Sequence, residues 1–143
     1  MEIEAALVEN RQSSRRERGH MAKTSVYISF DYDNDKLLKD FVIGQAKLPD
    51  SPFEIADHSI KEEVRGDWVA NAETRIKKSE VVMVIVGPQT YRAQGVKKEV
   101  ALARKHGKRV VQVIGYRDSD PTPVEDAGRL YRWNWENLRK ILE

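Results

Sequence analysis

The chain has 143 residues, 40% hydrophobic and 34% charged, with a formal net charge of +2. That composition suits one domain with a real core and excludes a disordered chain, and so small a surplus of charge gives no field that argues for nucleic acid or an acidic membrane. Cysteine is absent, which removes disulfides, thiolate nucleophiles and Cys-ligated metals and fits a cytoplasmic protein.

The longest unbroken apolar run, Val81 to Val86, is far too short to span a bilayer. The start carries no signal-peptide core, because Glu2 and Glu4 interrupt Met1 to Val8. Residues 1–20 include "NRQSSRRERGH", which is polar and free of any buried pattern. They are expected to be a flexible leader. Gly19-His20-Met21 resembles a cloning scar, so the leader is read as vector-derived and left out of the fold. The competing reading is a basic tail. Residues 21–143 are taken as a single domain.

In chain order, "TSVYISF" (24–30) is a β-branched and aromatic run and predicts a strand. Asp33, Asn34 and Asp35 offer N-cap chemistry. "DKLLKDFVIGQAKL" then sets Leu37, Leu38, Phe41, Val42 and Gln45 at helical spacing, and Pro49 and Pro52 end that helix. "PFEIAD" is a short second strand and "HSIKEEVRGD" a charged loop. "WVANAETRIKKS" puts Trp68, Val69, Ala72 and Ile76 on one helical stripe. "VVMVIVG" is continuously apolar, as a strand buried on both faces should be. "PQTYRAQG" is a loop, and "VKKEVALARKHG" a helix that ends with Gly107 as C′. "RVVQVIGY" is another buried strand, followed by a Pro-containing loop (117–129). "WNWENLRKILE" is a final helix with Trp135, Leu138 and Leu142 on one face.

Strands alternating with short helices imply parallel pairing through right-handed crossovers. The expected fold is an α/β, flavodoxin-like three-layer sandwich with strand order 2-1-3-4 and room for a short fifth strand near Leu130 to Trp133. Ligands of such sheets bind beyond the C-terminal strand ends, where the strand order reverses. That switch lies between the first and third strands. "FDYD" (30–33), "ADHS" (56–59) and "GPQTY" (87–91) leave those strand ends, and Glu99 stands near the start of the following helix.

Several familiar sites are missing. There is no G-x-G-x-x-G after the first strand, no P-loop and no G-x-S-x-G elbow. His20, His58 and His106 are scattered without metal-ligand spacing. A phosphoacceptor receiver shares this architecture, and Asp31 and Asp33 would supply its acidic pair. Its third strand would end in aspartate, however, and here Gly87-Pro88 stands there.

"VYISFDYDND", "FEIADHSIKEE" and "RIKKSEVVMVIVGPQTYRAQGVKKEVALARKHGKRVVQVIGY" resemble the TIR-like domain of the Thoeris anti-phage system, over about residues 24–117. The resemblance implies a TIR-like fold and NAD as the substrate, with no separate cofactor. It implies cleavage of the nicotinamide N-glycosidic bond and release of a cyclic ADP-ribose isomer. That diffusible signal would activate a separate effector. In enzymatic TIR domains the key glutamate lies in a W-x-x-x-E arrangement after the third strand. Glu99 in "GVKKEVALARKHGKRVV" matches it, whereas Gly95 stands in the tryptophan's place. The loop 58–66 matches the BB loop by position, without its Arg-Asp and Pro-Gly pattern, and is expected to mediate self-association.

The chemistry can be argued beside the resemblance. Breaking this bond develops oxocarbenium character on the ribose, which a nearby carboxylate such as Glu99 can orient and stabilise. Nicotinamide leaves without a general acid. Phe30, Tyr32 or Tyr91 could pack on a flat ring, and Asp31, Asp57 and Ser59 could bond ribose or amide groups. Cyclisation needs the sugar held against an internal hydroxyl with water excluded.

Blander roles stand beside these. Glu99 could be a first-turn helix acid favoured by the macrodipole. Asp33 and Asp35 read as N-caps, Phe30 and Trp68 as core, His58 as an exposed loop residue. The rival functions are a non-catalytic TIR-like scaffold and, less favoured, a nucleoside deoxyribosyltransferase-like enzyme.

Overall fold

The computed structural model describes residues 23–56 and 68–142. The leader expected over residues 1–20 and the loop 58–66 lie outside the described residues. The run "VVMVIV" forms a strand, Val81–Val86, in which every residue is buried. Alternate side chains of a strand point to opposite faces. Val81, Met83 and Ile85 accordingly join one hydrophobic cluster, and Val82, Val84 and Val86 the other. An apolar run with no polar face is thus placed between two helical layers. Full burial of each such side chain contributes about 1.5–3 kcal/mol.

The elements follow in the order β1 (Thr24–Ser29), α1 (Lys36–Ala46), β2 (Phe53–Ile55), α2 (Trp68–Lys78), β3 (Val81–Val86), α3 (Gln94–Lys105), β4 (Arg109–Ile114), β5 (Leu130–Tyr131) and α4 (Trp135–Leu142), with a 3-10 turn at Thr90–Arg92 before α3. The five strands form one sheet in the order β2-β1-β3-β4-β5. Every pair is parallel, with Val26 opposite Val81 and Val86 opposite Ile114. The expected order 2-1-3-4 is present, and the short fifth strand lies beside β4.

α1 and α4 cover one face through Leu38, Val42, Leu138 and Ile141, which pack with Val26, Ile28, Met83 and Val113. Trp133, expected to begin the last helix, lies before it in the core, edge-on to Phe53 at 6.1 Å. α2 and α3 cover the other face through Ile76, Val96, Val100 and Ala103. Two expected stripes shift phase. α1 buries Leu38, Val42 and Ala46 and leaves Leu37 and Phe41 exposed. α2 buries Ala72 and Ile76, with Trp68 and Val69 only half-buried.

α3 ends as its sequence suggests. Gly107 takes φ +68, the Lys108 N–H donates to the Ala103 carbonyl at 2.8 Å, and the Gly107 N–H donates to Arg104 at 3.1 Å. These are the two bonds of a Schellman close. Among the described residues no helix is long and apolar enough to cross a membrane.

Candidate functional site

β1 carries Ser25, Tyr27 and Ser29 on one face. Val26 and Ile28 enter the cluster under α1, so Tyr27 and Ser29, at alternate positions, face α3. Glu99 lies in the second turn of α3, above that same face. The Tyr27 hydroxyl donates to Glu99 Oε2 at 2.6 Å and the Ser29 hydroxyl donates to Oε1 at 2.6 Å. Both lengths lie in the charge-assisted range. Ser29 is fully buried. Glu99 as a whole residue keeps partial solvent contact.

Burial pushes the Glu99 carboxyl up from 4.5 to about 7, against the pull of the Ser29 and Tyr27 hydrogen bonds. Desolvation disfavours the charged form and donors favour it. Here desolvation wins, which leaves a carboxyl that exchanges a proton near neutral pH. Glu99 is therefore more than a solvated first-turn acid.

A second carboxyl occupies the other side of the rim. Asp35 is buried, and Tyr116, just past β4, donates its hydroxyl to Asp35 Oδ1 at 2.6 Å. Thr90 approaches Oδ2 at 3.5 Å, while its Oγ1 accepts the Gly87 N–H at 2.7 Å. Burial raises the Asp35 carboxyl, the Tyr116 bond lowers it, and the charge of Asp31 raises it further. Tyr116 is itself raised, first by burial and then by Asp35. Gly87 is required by this packing, since a Cβ there would come within 2.5 Å of Asp35 Oδ2. Asp35 stands at the N-cap position of α1 but makes no side-chain cap bond. The cap expected of it is overridden because its carboxylate is taken by Tyr116. Asp33 is exposed in the preceding turn.

The remaining sequence candidates divide. Asp31 is buried and accepts bonds from the Asn34 side chain at 2.7 Å and the Asn34 N–H at 3.3 Å. Phe30 and Tyr32 pair at 5.9 Å between ring centroids, with Lys36 Nζ 5.4 Å from the Tyr32 ring centre. Phe30 also packs against the α1-side core. Tyr91 is exposed beside Arg92. Asp57 and Ser59 lie outside the described residues. The structure thus brings Phe30, Asp31 and Tyr32 together after β1, while Glu99 is contacted by Tyr27 and Ser29 instead. Neither of these two was singled out from sequence, although the alternation in "TSVYISF" does place both on one face.

Gly95 lies one helical turn before Glu99. A Cβ there would meet the tip of the Trp68 indole at 3.8 Å, an ordinary contact. An indole therefore covers this turn of α3, supplied by α2. Among the described residues no three His, Asp or Glu side chains gather as a metal site.

A five-stranded parallel sheet with a buried, ionisable carboxyl at its switch point defines a flavodoxin-like α/β domain of the TIR-like kind. The profile of the Thoeris protein ThsB, TIR-like domain, matches residues 27–119. The chain belongs to that family, and membership places it in Thoeris defence. The matched stretch runs from Tyr27 past Tyr116, so it contains both carboxyl clusters. A comparison with curated proteins gives no match to this chain.

Proposed function

We propose that the protein is an NAD-consuming enzyme that cleaves the nicotinamide glycosidic bond and closes the remaining ADP-ribose into a cyclic signal for a separate effector, acting in the cytoplasm. The observation that carries this reading is the Glu99 carboxyl, held by two hydroxyls at the sheet's switch point and titrating near 7. In the step proposed, the bond between ribose C1′ and the nicotinamide nitrogen breaks and its electron pair leaves with nicotinamide. Positive charge spreads over C1′ and the ring oxygen. The Glu99 anion stabilises that charge and accepts hydrogen bonds from the ribose hydroxyls. An internal nucleophile of the ADP-ribose then bonds C1′ and loses one proton, or water does so and yields the open product.

Phe30, Tyr32 and Tyr91 are proposed to pack against the rings of NAD, and Asp31, Asp57 and Ser59 to bond its polar groups. The loop 58–66 is proposed to close the site across a self-associated pair. The test incubates purified protein with NAD and follows nicotinamide and the ribosyl product by mass, beside Glu99→Ala and Glu99→Gln. A cyclic product lighter than ADP-ribose by one water, and lost in both variants, supports the reading. Measurable wild-type turnover that is unchanged in both variants refutes it.

A scaffold reading is favoured by one observation: Leu37 and Phe41, one turn apart on α1, are both exposed. Particle size with and without NAD, followed beside turnover, separates the two. Assembly through α1 with no nicotinamide release, in infected cells as well, selects the scaffold.

A further inference from the structure

We infer that Tyr27 and Ser29 are positioning residues for Glu99, their two hydroxyls fixing its carboxyl plane at the rim and supporting its anionic form. This rests on the proposed NAD chemistry only for its purpose; the arrangement stands on geometry. A carboxyl group turns about a broad, soft torsion. Two donors on different oxygens, each at 2.6 Å, remove that freedom. The donors come from alternate residues of one buried strand, so their spacing is set by the backbone of β1.

The neighbours on the same helix show that packing alone does not need a carboxyl here. Val96, Val100 and Ala103 fill the interior side of α3 with apolar atoms. A carboxylate in such a place is costly unless hydrogen-bonded.

Among the described residues, the donors that reach Glu99 are both hydroxyls. The influences on Glu99 are burial, Ser29 and Tyr27. The Tyr27 phenol is the one ionisable group among them. β3 presents only apolar side chains. A paired Lys or Arg would cancel the field of the carboxylate. Two hydroxyls stabilise the charge and leave it uncompensated, available to positive charge developing on a bound sugar. A carboxylate has about four acceptor positions; the two donors leave the others for ribose hydroxyls.

The test reads Glu99 directly. Protein with 13C-labelled glutamate carboxyls is titrated by NMR, the Glu99 signal being assigned by its loss in Glu99→Gln. Tyr27→Phe and Ser29→Ala each remove one oxygen atom, and Ser29→Thr retains the hydroxyl. The wild-type midpoint is expected near 7. Loss of either donor should raise it by roughly one to two pH units, since hydrogen bonds to charged groups are of that size. Ser29→Thr should stay near wild type. The acid limb of nicotinamide release should move with the midpoint in each variant. Midpoints unmoved in both single-oxygen variants overturn the inference, whatever the turnover. Midpoints that move without nicotinamide release in any protein, in phage-challenged lysates as well, uphold the clamp and reject the NAD reading.

Discussion

Replacing Glu99 with glutamine should stabilise the fold at alkaline pH and leave it nearly unchanged in acid. A carboxyl whose folded-state value lies above its unfolded one binds protons more readily in the fold. The stability this contributes is complete below the unfolded value of 4.5 and is lost as pH rises through about 7. The full difference corresponds to about 3 kcal/mol, and partial solvent contact of the residue trims it. Between pH 5 and pH 8 wild type should lose about 2 kcal/mol through this group. Glutamine has the same shape and does not titrate. Its amide can donate to one hydroxyl and accept from the other, since both Tyr27 and Ser29 can rotate their protons. Urea unfolding of both proteins at pH 5 and pH 8, followed by circular dichroism, isolates the effect because every other titrating group is shared. The variant's midpoint advantage should grow by about 1 M urea between the two pH values. An advantage that is equal at both, or larger at pH 5, refutes the account of Glu99 as a carboxyl strained by burial.

The second carboxyl makes a parallel prediction. Tyr116→Phe removes the short bond to Asp35 and should destabilise by about 1–3 kcal/mol. The bond supports the charged form of a carboxyl that burial raises, so the loss should shrink as Asp35 is protonated toward acid pH in the same unfolding assay. Gly87→Ala drives a methyl to within 2.5 Å of the Asp35 carboxylate, which Tyr116 prevents from retreating; it should cost about 1–3 kcal/mol by thermal denaturation. Gly107→Ala meets no neighbouring atom but keeps φ +68, and should cost about 1–2 kcal/mol from backbone strain alone.

Much of the architecture was legible because it depends on patterns within single segments. Six apolar residues in a row at Val81 to Val86 admit little besides a strand covered on both sides, and Gly107 after a helical repeat marks a Schellman end. The alternation of strands and helices set the sheet order, and that order brought Glu99 to the rim. What escaped depends on contacts between distant segments. Tyr27 and Ser29 lie 72 and 70 positions before Glu99, and nothing local shows that a tyrosine in a strand will reach a particular helix. Asp35 looked like a helix cap because Asp favours that role in isolation; a phenol 81 residues away claimed its carboxylate instead. On α1 the buried stripe is Leu38, Val42 and Ala46, with Leu37 and Phe41 exposed, and helical spacing alone does not fix that phase.

The central claim is that Glu99 cleaves the nicotinamide bond of NAD. NAD labelled in its nicotinamide ring is added to lysates of phage-challenged cells producing either wild type or Glu99→Gln at matched, verified levels. The account predicts labelled nicotinamide release by wild type and a fall of roughly 100-fold or more in the variant. Equal release from the two lysates contradicts it.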